Sequence, residues 1–135
     1  MPSGTLDSKM GLELLEVSAS KSVGRYPVEG NTQPDGIWHG GASGVAVESL
    51  ASISGLAAVG DGGTVVGVDL NVSHLRSAKS GWVVATAEAL RIGGSLASYE
   101  VRLSNDGTLI AVGRVTLRLF RPESAEADLP ASEMS

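Results

Sequence analysis

GGASGVAVESLASISGLAAVG, residues 40 to 60, is the longest nearly apolar stretch of the chain, and Glu48 is the only charged side chain between its terminal glycines. Its length and composition predict a helix that starts near His39 or Gly40, runs to about Val59 and ends in the turn-rich Gly60-Asp61-Gly62-Gly63. The many Gly and Ala residues lower intrinsic helix propensity, so burial must supply much of its stability. They also let it sit close against a neighbouring sheet. A carboxylate in the middle makes a buried helix of a soluble domain a better reading than a membrane span.

Outward from this helix the chain reads as strands. Leu15, Val17 and Ala19 alternate with Glu16, Ser18 and Ser20, and Ser22 to Glu29 forms a second short strand. Asn31, Pro34 and Gly36 mark Gly30 to Trp38 as a loop that delivers the chain to the helix. Beyond the helix, Val66, Val68, Leu70 and Val72 alternate with Gly67, Asp69, Asn71 and Ser73, and Gly81 to Ile92 gives a strand of less regular pattern. Ala97 to Leu103 and Leu109 to Leu119 are joined by the hairpin signal Asn105-Asp106-Gly107. Only one long helix is available to cover the apolar face of this sheet, so the expected fold is α+β: an antiparallel sheet curled around a central helix. The expected domain spans residues 13–121, between a flexible segment 1–12 and a disordered acidic tail 122–135.

The 135 residues suit one domain, small for burying a long substrate within one protomer, which makes an oligomer worth expecting. Ten Lys plus Arg stand against fifteen Asp plus Glu, a net charge of −5, and no basic run offers the footprint that nucleic acid requires. There is no Cys, which removes disulfides and thiolate chemistry. No basic and apolar leader follows Met1, so the expected location is cytoplasmic, without membrane attachment.

The candidates for chemistry cluster around the helix. Glu48 lies among Val45, Val47, Leu50 and Ile53, where burial would disfavour its charged form; it either works there or occupies the one helix face that reaches water. Ser52, one turn on, can hydrogen-bond it or simply pack closely. Gly40 and Gly41 leave backbone N–H groups free at the positive end of the helix dipole, a place to stabilise an oxyanion or a plain loop-to-helix junction. His39 can orient substrate or cap the helix, and Gln33 can bind a carbonyl or water. His74 shares the parity of Val66 to Val72 and is expected on the apolar side of its strand. Two His and no Cys make a metal centre a poor fit. Gly41-Ala42-Ser43-Gly44 is not a serine nucleophile elbow, and Gly60 to Gly63 lacks the Lys of a phosphate loop.

Gly40 and Glu48 are eight positions apart, about 12 Å along one helix axis, whereas a reacting carbonyl needs its oxyanion donor and its attacking group both ~3 Å away. If both act on one carbonyl, they come from two protomers related by a two-fold axis.

The string Gln33-Pro34-Asp35-Gly36-Ile37-Trp38-His39-Gly40-Gly41-Ala42-Ser43, followed by Glu48 and Ser52, resembles the hotdog-fold thioesterases of the phenylacetate-pathway and 4-hydroxybenzoyl-CoA type. The run Val65-Val66-Gly67-Val68-Asp69-Leu70-Asn71-Val72-Ser73-His74-Leu75-Arg76 is similar to a strand of the same family, and the likeness spans about Leu15 to Phe120. The resemblance implies hydrolysis of an acyl- or aryl-CoA thioester, or of an acyl group on a carrier protein, with no cofactor besides the coenzyme A of the substrate. It also implies an active site at a homodimer interface, with dimers pairing into a homotetramer. Gln33, His39 and the Gly40 amide of one protomer would polarise the carbonyl, and Glu48 and Ser52 of the other would face it, Glu48 acting as nucleophile or general base. His74 and Ser73 would line the substrate site, and Arg76, Lys79 and the turn Gly93-Gly94-Ser95 would meet the CoA nucleotide. Where relatives carry a basic residue after the first of these glycines, this chain has Gly94. The rival readings are a hydratase or dehydratase on the same fold and a non-catalytic acyl-CoA-binding module.

Overall fold

The computed structural model describes residues 5 to 122. A short helix α1 (Thr5–Met10) leads into β1 (Glu13–Val17) and β2 (Lys21–Pro27); the long helix α2 (Gly40–Val59) follows, and β3 (Thr64–His74), β4 (Trp82–Ile92), β5 (Leu96–Asn105) and β6 (Thr108–Phe120) complete the chain. The six strands form one antiparallel sheet in the order β1-β2-β4-β5-β6-β3. α2 packs against all six. This is the hotdog architecture, a sheet wrapped around one helix.

The expected helix and strands appear close to their expected bounds. α1 does not follow from the sequence: its six residues carry too little periodicity to signal a helix. It is held from outside, by Asp7, which accepts hydrogen bonds from the Tyr26 hydroxyl and the Ser49 hydroxyl, each at 2.9 Å. α1 lies within the segment 1–12 that precedes the expected domain. Residues 1–4 and 123–135, including nearly all of the expected acidic tail, lie outside the described residues.

Glycine decides how closely α2 approaches the sheet. A Cβ on Gly113 of β6 would lie 2.8 Å from Val47 Cγ1, and one on Gly55 of α2 would lie 2.6 Å from Leu117 Cδ1. Val47, Leu50, Ala46 and Ala51 of α2 are fully buried against Val101, Leu103, Leu117 and Val83 of the strands. A hydroxyl pair enters this layer: Ser22 and Ser54 are buried and hydrogen-bond each other at 2.5 Å. Apolar burial of this kind is worth about 25 cal/mol per Å². It stabilises a helix whose composition alone would not hold it.

Bulges alter two of the simple alternations. The β3–β6 register shifts between Gly67 and Asp69, so that Val68 is the extra residue and the parity of β3 reverses there. Val66 is then on the outer face, while Leu70, Val72 and His74 pair with the inward-facing Val115, Gly113 and Ala111 of β6. Val66 and Val68, expected on the covered side with Leu70, are 54% and 59% exposed. β1 has a similar shift between Leu14 and Glu16, with Leu15 the extra, exposed residue; Val17 then pairs with the helix-facing Ser22 and is exposed because β1 is the other edge of the sheet. The β5–β6 hairpin turns within the expected Asn105-Asp106-Gly107 signal: Asn105 pairs with Thr108, and Asp106 and Gly107 between them both have positive φ, 50° and 76°, as a two-residue turn requires.

Candidate active site

The start of α2 is built by the loop before it. Gln33 N–H donates to Ile37 O and Gly36 N–H to Gln33 O, with Gly36 at φ 85°, which curls Gln33 back toward the helix. Trp38 anchors the far side of the loop: its N–H donates to Ala78 O, its indole donates to Ser43 Oγ at 2.8 Å, and its ring packs 6.3 Å from that of Tyr26. His39 N–H donates to Asn31 O, and the Asn31 amide donates to Met10 O and Pro27 O.

His39 is the N-cap of α2, its Nδ1 accepting the Gly41 N–H at 2.8 Å. With Nδ1 an acceptor, the ring's own N–H is at Nε2, turned away from the cap. Among the described residues, the Gly40 N–H meets only the Gln33 side-chain oxygen, over a long 3.4 Å. A stronger acceptor, such as a carbonyl oxygen gaining negative charge, would compete well for it. His74 stands over the same point: a Cβ on Gly40 would lie 3.3 Å from His74 Cε1. Gln33, His39, Gly40 and His74 therefore converge. His74 reaches this place from the helix-facing side of β3, as expected, yet it is exposed, because β3 is the edge strand.

Glu48 is two turns further along α2 and exposed within the single chain, so the pattern's second reading, a helix face reaching water, describes it. It does not stand free. Its Oε2 lies so close over Gly67 that a Cβ there would be only 2.5 Å away. A glycine in mid-strand beside a bulge is the sequence sign of such close approach, and Gly67 is a residue that reading by alternation missed. Ser52 is half-buried on the same helix face. The Gly40 group and the Glu48 group lie on one α2 and stay about 12 Å apart along its axis.

The expected nucleotide-contact residues fall at two ends of the molecule. Arg76 and Lys79 are exposed near the start of α2, and the Arg76 guanidinium donates to Leu109 O. Gly93-Gly94-Ser95 closes the β4–β5 hairpin at the other end, where Arg121 donates to Gly93 O, Gly94 O and the Ala58 carbonyl of α2's last turn. Within one chain the two groups do not meet. Ser73 is opposite Val112, on the outer face, turned away from His74.

A cavity of about 290 Å³ opens beside this cluster, lined by Met10, Asn31, Thr32, His39, Ala42 and Val45 together with Gly30 and Gly41. A second, of about 680 Å³, lies at the other end of α2 among Val17, Leu56, Ala57 and the turn from Gly60 to Gly63.

Residues 35–112, which carry the helix, its cap and the edge strand, match the family model described as the thioesterase superfamily. The chain belongs to that superfamily. This thioesterase is 35% identical to the 1,4-dihydroxy-2-naphthoyl-CoA hydrolase of Listeria monocytogenes over 83% of its own length and 93% of the relative's. Its fold superimposes on a crystal structure of a thioesterase from Haemophilus influenzae with TM-score 0.83 at 30% identity, covering 88% of this chain and 85% of the other. A thioesterase from Staphylococcus aureus, crystallised with a glutamine changed to alanine, gives TM-score 0.83 at 28% identity over 87% and 99% of the two chains. The enzyme is a thioester hydrolase.

Proposed function

We propose that this thioesterase hydrolyses an acyl- or aryl-CoA thioester at sites shared by two copies of the chain, in the manner of the phenylacetate-pathway and 4-hydroxybenzoyl-CoA enzymes. The observation that carries this reading is the Gly40 N–H, held at the positive end of α2 with a long bond to Gln33, under His74 and beside the His39 cap. A thioester oxygen placed there gains a donor that strengthens as charge develops. Loss of one such donor typically costs about 3 kcal/mol of transition-state stabilisation. His39 and Gln33 position the carbonyl from either side.

Glu48 supplies the other half. Two copies of α2 laid side by side about a two-fold axis bring Glu48 and Ser52 of one to the Gly40 end of the other. The free edge of β3, with Val66 and Val68 exposed and Glu48 lying over Gly67, supports pairing at this place. Glu48 either attacks the carbonyl carbon, forming an anhydride that water opens, or takes a proton from a water that attacks. In both routes the C–S bond breaks, the thiol leaves with a proton, and the acid is released. The relative that acts on 1,4-dihydroxy-2-naphthoyl-CoA supports an aryl acyl group and a CoA carrier. Acyl groups on a carrier protein are the alternative substrate form, and two dimers pairing into a tetramer is the assembly the family resemblance implies.

Thiol release from a panel of aryl and aliphatic CoA thioesters tests the activity, with Glu48→Ala expected to abolish turnover while the fold is kept. Retained turnover removes Glu48 from the mechanism. Mixing Glu48→Ala with Gln33→Ala tests the shared site: exchange of subunits builds one site with both groups intact, so activity returns. No return places both groups in one chain's site. In a single turnover in ¹⁸O-water, an unlabelled first product shows a nucleophilic Glu48 whose anhydride is opened at the Glu48 carbonyl, and capture of the anhydride by hydroxylamine detects the same route when water opens it at the acyl carbonyl.

A further inference from the structure

α1 has no part in the reading above, yet its last residue reaches the site. Met10 forms a wall of the cavity that also holds His39, Ala42 and Val45, and packs against the core from a half-buried position. Val45 is on α2 one turn before Glu48, and His39 is the residue beside the Gly40 amide. The open cavity therefore adjoins the Gly40 end of α2, which it touches through His39 and Gly41.

Met10 is held there by an unusual amount of structure for the end of a six-residue helix. Its carbonyl accepts the Asn31 amide at 2.8 Å, Gly11 turns the chain at φ 82°, and Leu12 N–H donates to Asp7 O. Asp7 itself accepts from Tyr26 of β2 and Ser49 of α2, which ties α1 across both. Burial, together with the adjacent Asp7 carboxylate, raises the Tyr26 phenol above its ordinary pKa, so it remains a donor. A helix this short has little stability of its own, and these bonds set its position.

We propose that Met10 is a specificity-determining wall of the acyl pocket and that Asp7, through Tyr26 and Ser49, is the positioning residue that sets how far this wall stands from His39. The proposal rests on the thioesterase site described above. The occupant is the acyl group and not the pantetheine arm, because the walls are mostly apolar and present no Lys or Arg, while pantetheine brings two amides and CoA its phosphates. The thioether of Met adapts to flat aromatic surfaces and to flexible chains alike, which suits a wall that meets variable acyl groups.

The test is the ratio of kcat/KM for a bulky to a small acyl-CoA, for instance a two-ring aryl against an acetyl thioester. Met10→Ala should raise the ratio by about tenfold or more and Met10→Phe should lower it, the scale expected when an apolar pocket gains or loses a few methylene groups. Asp7→Ala should move the ratio in the direction of Met10→Ala and increase amide hydrogen exchange in residues 5–11, while Asp7→Asn, whose amide oxygen still accepts both hydroxyls, should restore the native ratio. Ser49→Ala removes one donor with little packing loss and gives a smaller shift in the same direction, so the proposal stays testable if Asp7→Ala does not fold. Repeating the series with the acyl groups on N-acetylcysteamine removes the nucleotide and most of pantetheine. The Met10 effect should persist there. Folded Met10 variants that change all acyl groups equally, or whose effect disappears with the shorter thiol, overturn the acyl-wall assignment. Glu48→Ala in the same panel tests the site itself: a live Glu48→Ala enzyme defeats the mechanism, whereas a dead one beside unselective Met10 variants defeats only the wall.

Discussion

Gly67 is the residue on which the placement of Glu48 depends. The carboxylate can lie over β3 only because the strand has no side chain at that position, and a Cβ would come 2.5 Å from Oε2. Gly67→Ala should therefore push the carboxylate off its position and lower kcat by one or more orders of magnitude, since misplacement of a reacting group by about 1 Å can cost ~100-fold. The thermal midpoint should change little, because Glu48 is exposed and swings outward at small cost. Kinetics and thermal melting of the one variant check both halves; full activity would mean that Glu48 reacts from another rotamer.

At the scale of elements, α2 is held by close approach and by one buried hydroxyl pair. Ser22 of β2 and Ser54 of α2 satisfy each other at 2.5 Å, and the remaining bond of Ser22, to Ser18 O, is long at 3.4 Å. Ser54→Ala should destabilise the fold by about 1–3 kcal/mol, because it leaves a buried hydroxyl poorly partnered. The double variant Ser22→Ala, Ser54→Ala should recover part of that loss, since both polar groups are then gone. Urea unfolding with unchanged m-values measures each. The same elements explain what sequence could reveal locally. The α2 bounds were legible because Gly40 and Gly60 bracket an apolar run, and the hairpin at Asp106-Gly107 because its turn demands positive φ. The bulge at Val68 was not legible, since an alternating strand reads the same with or without an extra residue until its partner is known.

Among the described residues, the sheet leaves an unpaired apolar edge beside the candidate site. β3 ends the sheet, and Val66, Val68 and Leu70 along it are all exposed in the single chain. An edge of this kind invites a further strand. Val66→Lys combined with Val68→Lys should give a folded monomer in sedimentation experiments and abolish hydrolysis, although Gln33, His39, Gly40 and Glu48 are all retained. A monomer with native turnover would show that one chain holds a complete site.

From the sequence alone came the fold class, the central helix, the strand succession and the grouping of Gln33, His39 and Gly40 before the helix, because periodicity, glycine punctuation and the Gln33 to Gly40 spacing are local properties of the chain. Tertiary structure alone decided the rest. It placed α1 against β2 and α2 through Asp7, reversed the parity of β3, set Glu48 over Gly67, and separated Arg76 from the Gly93 turn by the length of α2. Each of these depends on which distant segments meet, and a hydrogen bond or a missing Cβ between residues forty or twenty positions apart leaves no periodic trace.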